Sequence, residues 1–179
     1  MIHHPAPADH AAQRPESIPA DGEGLREALR GMASPVVVVT CVGAEGPRGA
    51  TIGSFTSASL APPLVTFNVT HGSRFHEALT EAESFAVHLL ADDQSDLATR
   101  FATPGLDDQF GGVVHTLTPR GLPLLDSTLG VLLCRPAGRM DAGDHSLVLG
   151  RVEERIPGRE AGPLLYFRQS YRGVGDEVT

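Results

Sequence analysis

The sequence of 179 residues contains no lysine, and all 14 of its cationic side chains are arginine. Without lysine the chain has no GxxxxGK[ST] loop, which excludes that class of phosphate-binding protein. The net charge of -8 argues against nucleic acid as a partner, because a phosphate backbone is bound by a basic surface. No apolar run approaches the roughly 20 residues of a membrane span. The N-terminus also lacks a charged region followed by an apolar one, so we expect no membrane association and a cytoplasmic location.

Cysteine is scarce as well. Cys41 and Cys134 lie in separate apolar runs and form no CxxC pair, which predicts buried, reduced thiols rather than a disulfide or a metal site. Neither a GxSxG elbow nor an HExxH motif occurs. The fragment at 173–175 (GVG) lacks the third glycine and the following helix of a dinucleotide fingerprint. The simplest hydrolase and metalloenzyme functions therefore lose support, and we expect no metal.

The composition divides the chain into three segments. Residues 1–22 are rich in Pro, Ala, His and Asp without apolar periodicity, which is typical of a flexible leader. Residues 23–173 are predicted to form one domain, long enough to bury a substantial core. Residues 174–179 are left as a C-terminal tail.

Within the domain, hydrophobic periodicity predicts short helices and many strands. Helices are expected at 25–32, 74–82 and 92–102, and the first must end before Pro35. Residues 103–123 are predicted to be a loop. Strands are expected at 36–42, 49–54, 64–70, 84–90, 129–135, 146–155 and 163–168. Short strands without regular helical crossovers favour a mainly antiparallel barrel over a doubly wound sheet.

The segment 49–63 (GATIGSFTSASLAPP) is unusually rich in hydroxyl groups and glycine. Hydroxyls and free backbone N–H groups suit a phosphate or a polyol chain, and glycine lets the backbone approach a flat ligand closely. As composition alone, an ordinary strand and turn with surface hydroxyls explains the segment equally well.

The order of the residues, SFTSxSLxPPLV, resembles the flavin reductase-like family of FMN-binding split barrels. Further segments in the same order resemble that family: HGS at 71–73, the strand and helix at 84–102, GDH with the strand at 143–152, and PLLYFRQSYR at 163–172. The resemblance implies an antiparallel split β-barrel of Greek-key type with short flanking helices.

The same resemblance implies a set of binding residues. Ser73 and Arg100 match positions near the flavin phosphate, and His145 matches a histidine near the nicotinamide. Ser34-Pro35 departs from a glycine-containing pair, so one backbone donor is lost there. The residues matched to the flavin side are Ser34, Val36, Val38, Thr51, Ile52, Gly53, Ser54, Phe55, Thr56, Ser57, Ser59, Ser73, Arg100 and Phe101. The residues matched to the nicotinamide side are His145, Tyr166, Arg168, Tyr171 and Arg172.

For these positions a purely structural role stays open. Asp144 then caps a turn before a strand that His145 begins, and 163–172 is only a barrel strand with its exposed end. No side chain is expected to act as an acid or base, since hydride passes between two cofactors.

The implied activity is an NAD(P)H-dependent flavin reductase. Its cofactors would be FMN or FAD, with NADH or NADPH as the hydride donor. A homodimer is expected, with a flavin-dependent monooxygenase receiving the reduced flavin. Two alternatives remain: an oxidoreductase of this fold that retains its flavin and acts on a small organic substrate, or a non-catalytic flavin- or haem-binding module.

Overall fold

The computed structural model describes residues 17–175. Most of the leader predicted at 1–22 and of the tail predicted at 174–179 lies outside the described residues, and these boundaries stay predictions. Within 17–175, no helix is long and apolar enough to cross a membrane.

Three short helices accompany the strands, and two of them begin at a capping side chain. Asp21 accepts a hydrogen bond from the N–H of Gly24, and Ser73 accepts one from the N–H of His76. Such side-chain oxygens satisfy N–H groups that the first turn of a helix leaves unpaired. The helices are α1 (Gly22–Leu29), α2 (Arg74–Glu81) and α3 (Ser95–Ala102).

The third helix begins three residues later than the predicted start at 92. The side chain of Gln94 accepts a hydrogen bond from the N–H of Ala91, while the N–H of Gln94 donates to the carbonyl of Ala91. This turn occupies the chain up to Gln94, so α3 starts at Ser95.

Antiparallel strands make up the rest of the fold. Seven of them form the main sheet in the order β3-β2-β6-β9-β10-β5-β4, β1, β11 and β12 form a second sheet, and β7 pairs with β8. The strands are β1 (Ser34–Pro35), β2 (Val37–Gly43), β3 (Gly46–Ile52), β4 (Thr56–Leu60), β5 (Pro63–Thr70), β6 (Phe85–Leu89), β7 (His115–Leu117), β8 (Pro123–Leu125), β9 (Gly130–Ala142), β10 (His145–Pro157), β11 (Leu165–Phe167) and β12 (Ser170–Arg172).

Several strands differ from the predictions. The pairs β7 with β8 and β11 with β12 are only three residues long, too short for a periodic pattern, and β4 is a hydroxyl-rich edge strand. β9 extends well past residue 135, although Pro136 and Gly138 interrupt its apolar pattern. A register shift leaves Ala137 between them without a partner on β10, since Gly138 pairs with Leu149 and Pro136 with Gly150.

The strand β2 lies between β3 and β6 and is buried on both faces. Val37 and Val39 pack on one side with Phe67, whereas Val36 and Val38 belong to the opposite core. The run of β-branched residues in the sequence therefore reflects a strand with no solvent-facing side.

The main sheet curls without closing, because β3 and β4 are its two edges. Just after β3, the Ser54 side chain bridges to β5, where its Oγ accepts a hydrogen bond from the N–H of Asn68 at 2.9 Å. We call the opening between β3 and β5 the seam. A mainly antiparallel, split barrel with flanking helices is confirmed.

Candidate functional site

A cavity of about 670 Å³ lies along the seam. Its walls are β3, the end of β5, the first turn of α2 and the loop that follows α3. His145, at the start of β10, also lines it. We call this space the seam cavity.

The wall formed by β3 depends on Gly49. A Cβ atom at this position would lie 2.6 Å from the ring carbons of Phe101, so only glycine lets α3 pack against the strand. The side-chain amide of Gln109 pairs with the same residue: the N–H of Gly49 donates to Oε1 at 3.1 Å, and Nε2 donates to the Gly49 carbonyl at 3.0 Å. The loop after α3 is thereby fixed to the strand edge.

The hydroxyl groups of the cavity already have protein partners. Thr51 donates to the carbonyl of Ala98 at 2.6 Å, and Ser73 donates to the carbonyl of Thr70 at 3.0 Å. Both oxygens keep acceptor capacity and suit ligand hydroxyls better than phosphate oxygens, which are themselves acceptors. Ser73 reaches a phosphate as a donor only after giving up its bond to Thr70.

Two arginines form a cationic end of the cavity. Arg48 lies 3.3 Å from Glu45, and Arg74 lies 2.6 Å from Asp107. The hydrogen bond and charge of Arg74 hold the pKa of Asp107 below its usual value. Since Arg74 also begins α2, the anion-favouring end of that helix lies at the same place.

Arg100, which the sequence assigns to the phosphate, has a different position. Its Nε donates to the carbonyl of Gln109 and its second guanidinium nitrogen to the carbonyl of Asp108, both at 2.7 Å. These bonds hold the loop that follows α3, and Arg100 does not line the seam cavity. The structure therefore gives Arg100 a supporting role and brings Arg48 and Arg74 to the cavity instead.

His145 is held through both ring nitrogens. Its Nδ1 lies 2.7 Å from the carboxylate of Asp144, and its Nε2 lies 3.1 Å from the hydroxyl of Thr70. The bond to His145 lowers the pKa of Asp144. The ring lines the cavity, and its contact with a nicotinamide stays a prediction.

A second cavity, of about 610 Å³, lies between α1 and the turn from β11 to β12. Ser34, Tyr166 and Arg168 line it, and Tyr166 contacts Tyr171 edge to face at 5.4 Å. A Cβ atom on Gly53, in the wall of the seam cavity, would lie 3.9 Å from Ser34. The two cavities are thus neighbours.

The predicted binding residues therefore separate into three groups. Those that line the seam cavity are Thr51, Ile52, Gly53, Ser54, Ser73, Phe101 and His145. Those that line the second cavity are Ser34, Tyr166 and Arg168. Those that the structure brings to neither are Val36, Val38, Phe55, Thr56, Ser57, Ser59, Arg100, Tyr171 and Arg172.

Burial and strand pairing explain most of the third group. Val36 and Val38 are buried, and the ladder of β2 occupies the backbone of Val38. Phe55 packs against the main core, whereas Thr56 and Ser57 are exposed on the free edge of β4.

Sequence reasoning missed four residues that shape the site: Arg48, Thr70, Arg74 and Gln109. Arg74 directly follows Ser73, so its positive charge next to a predicted phosphate contact could have identified it from the sequence. The partnership of Gln109 with Gly49 joins positions 60 residues apart and has no local signal.

The residues present fit a flavin nucleotide. The glycine backbone at the end of β3, at Gly53, accommodates a flat ring, acceptor oxygens suit a polyol, and the arginines with the start of α2 suit a phosphate. Together the fold and the seam cavity define a split-barrel protein built for a nucleotide cofactor. The chain belongs to the flavin reductase like domain family, whose model matches residues 29–175.

Individual relatives cover most of the chain. The NADH:riboflavin 5'-phosphate oxidoreductase of Streptomyces pristinaespiralis is 42% identical over 156 residues, which is 86% of this chain and 89% of that protein. A flavin-dependent monooxygenase reductase subunit of Mycobacterium tuberculosis is 33% identical over 161 residues, covering 89% and 86%. The NADH:FAD oxidoreductase of Streptomyces globisporus, solved with NAD and FAD fragments, is 33% identical with a TM-score of 0.81 and coverage of 89% and 96%.

Proposed function

We propose that the protein is an NADH- or NADPH-dependent flavin reductase that transfers hydride from the nicotinamide to FMN or FAD. The observation that carries the proposal is the seam cavity, which combines glycine backbone, a cationic end and His145 around one space. Membership of the flavin reductase like domain family and the oxidoreductase relatives support the same activity.

In this proposal the bound flavin supplies the hydride acceptor. The backbone at Gly53, directly after β3, would support the flat ring, and Arg48 and Arg74 would bind the phosphate. His145 orients the nicotinamide. Because hydride passes directly between two cofactors, the protein contributes alignment and exclusion of water rather than an acid or base.

We further propose that reduced flavin is delivered to a flavin-dependent monooxygenase, as the name of the Mycobacterium tuberculosis relative suggests. A cytoplasmic location belongs to the same proposal. It agrees with two buried, free thiols, Cys41 and Cys134, in which burial raises the pKa to about 12.

A homodimer is also part of the proposal. Leu25 and Leu29 on α1 and Met32 just after it are at least half exposed, and Leu60 on the free edge of β4 is 90% exposed. An apolar helix face and an unpaired strand edge are costly in water and suit a second copy of the chain. Sedimentation should give twice the monomer mass, and Leu29→Glu should lower it to that of the monomer. A monomeric wild type would contradict this part of the proposal.

The activity is tested by following NADH and NADPH oxidation with FMN, FAD or riboflavin as acceptor. We expect turnover with at least one pair and loss of nicotinamide affinity in His145→Ala with little change in flavin affinity. An inactive protein with every pair would refute the reductase proposal. A tightly retained yellow cofactor that never exchanges with added flavin would instead favour an enzyme that keeps its flavin.

A further inference from the structure

We propose that Asp144 and Thr70 fix one tautomer of His145, with Nδ1 protonated and Nε2 presented to the cavity as a hydrogen-bond acceptor for the carboxamide N–H of the hydride donor. This inference rests on the proposed reductase function and assigns Asp144 as a positioning residue within that site.

The tautomer follows from the chemistry of the two partners. An ionised carboxylate has no proton to donate, so at 2.7 Å the Nδ1 of His145 must donate to Asp144. A neutral imidazole carries one proton, which leaves a lone pair on Nε2. The Thr70 hydroxyl therefore donates to Nε2 across 3.1 Å.

The backbone holds Asp144 in place. Residues 143 and 144 form a two-residue turn between β9 and β10, with a positive φ of 66° at Gly143. Glycine at the first central position with φ above zero is the pattern of a type II′ hairpin turn. The carbonyl of Asp144 also accepts a hydrogen bond from the N–H of His71 at 3.0 Å.

His145 itself is fixed between two strands. It begins β10 and pairs with Ala142 on β9 and with Thr70 on β5. One ring nitrogen is bonded to the turn residue Asp144 and the other to Thr70 on β5, so the ring has few orientations available and the direction of the Nε2 lone pair is set. A carboxylate that sets the tautomer of a histidine is a recurrent device where only one ring nitrogen contacts a ligand.

The direction of this hydrogen bond selects a chemical class of substrate. An acceptor nitrogen recognises a pyridine ring whose 3-substituent carries an N–H, which the nicotinamide carboxamide does and an acetyl group does not. The carboxamide would take the place of the Thr70 hydroxyl at Nε2. Had Nε2 carried the proton, it would bind the carbonyl oxygen common to both substituents and would not distinguish them.

The tautomer is measured directly by ¹⁵N NMR of histidine-labelled protein without nucleotide, at about pH 8.5, where an ordinary imidazole is neutral. The His145 signals are assigned by their loss in His145→Gln. We expect a protonated Nδ1 and a bare Nε2 in the wild type, and a shift towards protonated Nε2 in Asp144→Ala. A protonated Nε2 in the wild type would overturn the proposal, whether or not the protein reduces flavin.

Substrate selection is measured by calorimetric titration with NAD⁺ and its 3-acetylpyridine analogue, which need no turnover. One hydrogen bond predicts about tenfold tighter binding of NAD⁺ to the wild type. The ratio should fall towards one in Asp144→Ala and stay near the wild-type value in Asp141→Ala. Asp141→Ala is the matched control, because Asp141 lies in the same hairpin and its carboxylate is 3.6 Å from His71.

These measurements separate the inference from the function on which it rests. Active enzyme with equal affinity for both nucleotides, or with an unchanged ratio in Asp144→Ala, refutes the role of Asp144 and leaves the reductase function intact. Absence of flavin reduction with every nucleotide refutes the function itself.

Discussion

Acidic pH should destabilise the protein through His88, which lies in β6 and is fully buried. Its Nδ1 donates to the carbonyl of Val38 at 3.0 Å. Among the described residues, its Nε2 is the one buried side-chain nitrogen or oxygen without a hydrogen-bond partner. A proton added there would create a charge that neither water nor a carboxylate compensates.

Burial lowers the pKa of His88 from 6.5 to about 4, although its bond to Val38 acts in the opposite direction. Between these values the unfolded chain binds the proton and the folded chain does not. The contribution of His88 to the free energy of unfolding is therefore fully present above about pH 6.5 and is lost as the pH falls. At about 1.4 kcal/mol per pKa unit, the loss is about 2 kcal/mol at pH 5 and about 3.4 kcal/mol below pH 4.

Urea unfolding of the wild type and of His88→Gln at pH 7.5 and pH 5 measures this contribution. Glutamine keeps an N–H donor near Val38 and does not titrate, so the variant should lose about 2 kcal/mol less stability on acidification. All other titrating groups are common to both proteins. His115→Gln is the control, since it removes a half-buried histidine with a similar bond to the main chain. Equal pH dependence of the wild type and His88→Gln would refute the reasoning.

Three further predictions concern the seam cavity. Gly49→Ala should cost about 1–3 kcal/mol of stability, measured by urea unfolding, because the new methyl group meets the ring of Phe101. Arg74→Gln should weaken the binding of FMN about tenfold in fluorescence titrations and leave the binding of riboflavin unchanged, since only FMN carries a phosphate. Arg120→Gln, which does not line the cavity, should change neither affinity. Arg100→Gln should weaken the binding of FMN and riboflavin equally, because it loosens the loop after α3. A loss of affinity for FMN alone would show that Arg100 contacts the phosphate.

Much of the fold was predictable because it depends on local patterns. The β-branched run of β2 and the apolar spacing of α2 identify these elements directly in the sequence. In contrast, β4 is rich in hydroxyls and owes its form to pairing with β5, so no periodicity marks it. Three-residue strands likewise exist only through their partners.

The candidate site was predictable where consecutive residues form it, as at 51–54, the end of β3 and the two residues after it. It was not predictable where distant segments converge. The Arg74 guanidinium meets Asp107 across 33 positions, and Arg100 bonds to two main-chain carbonyls that no sequence motif records. A guanidinium suits phosphate and carbonyl oxygen alike, so residue type alone left Arg100 undecided.

The seam has a thermodynamic consequence. Because β3 and β5 are not paired as strands and Ser54 bonds to Asn68 across the opening, a ligand lying between them would supply contacts that a closed barrel draws from a further strand. A flavin bound there would be a structural component as well as a reactant. Its free concentration sets part of the folding equilibrium, by about 2.7 kcal/mol at a hundred times the dissociation constant. The cell's flavin supply would therefore govern the lifetime of the protein together with its rate of turnover.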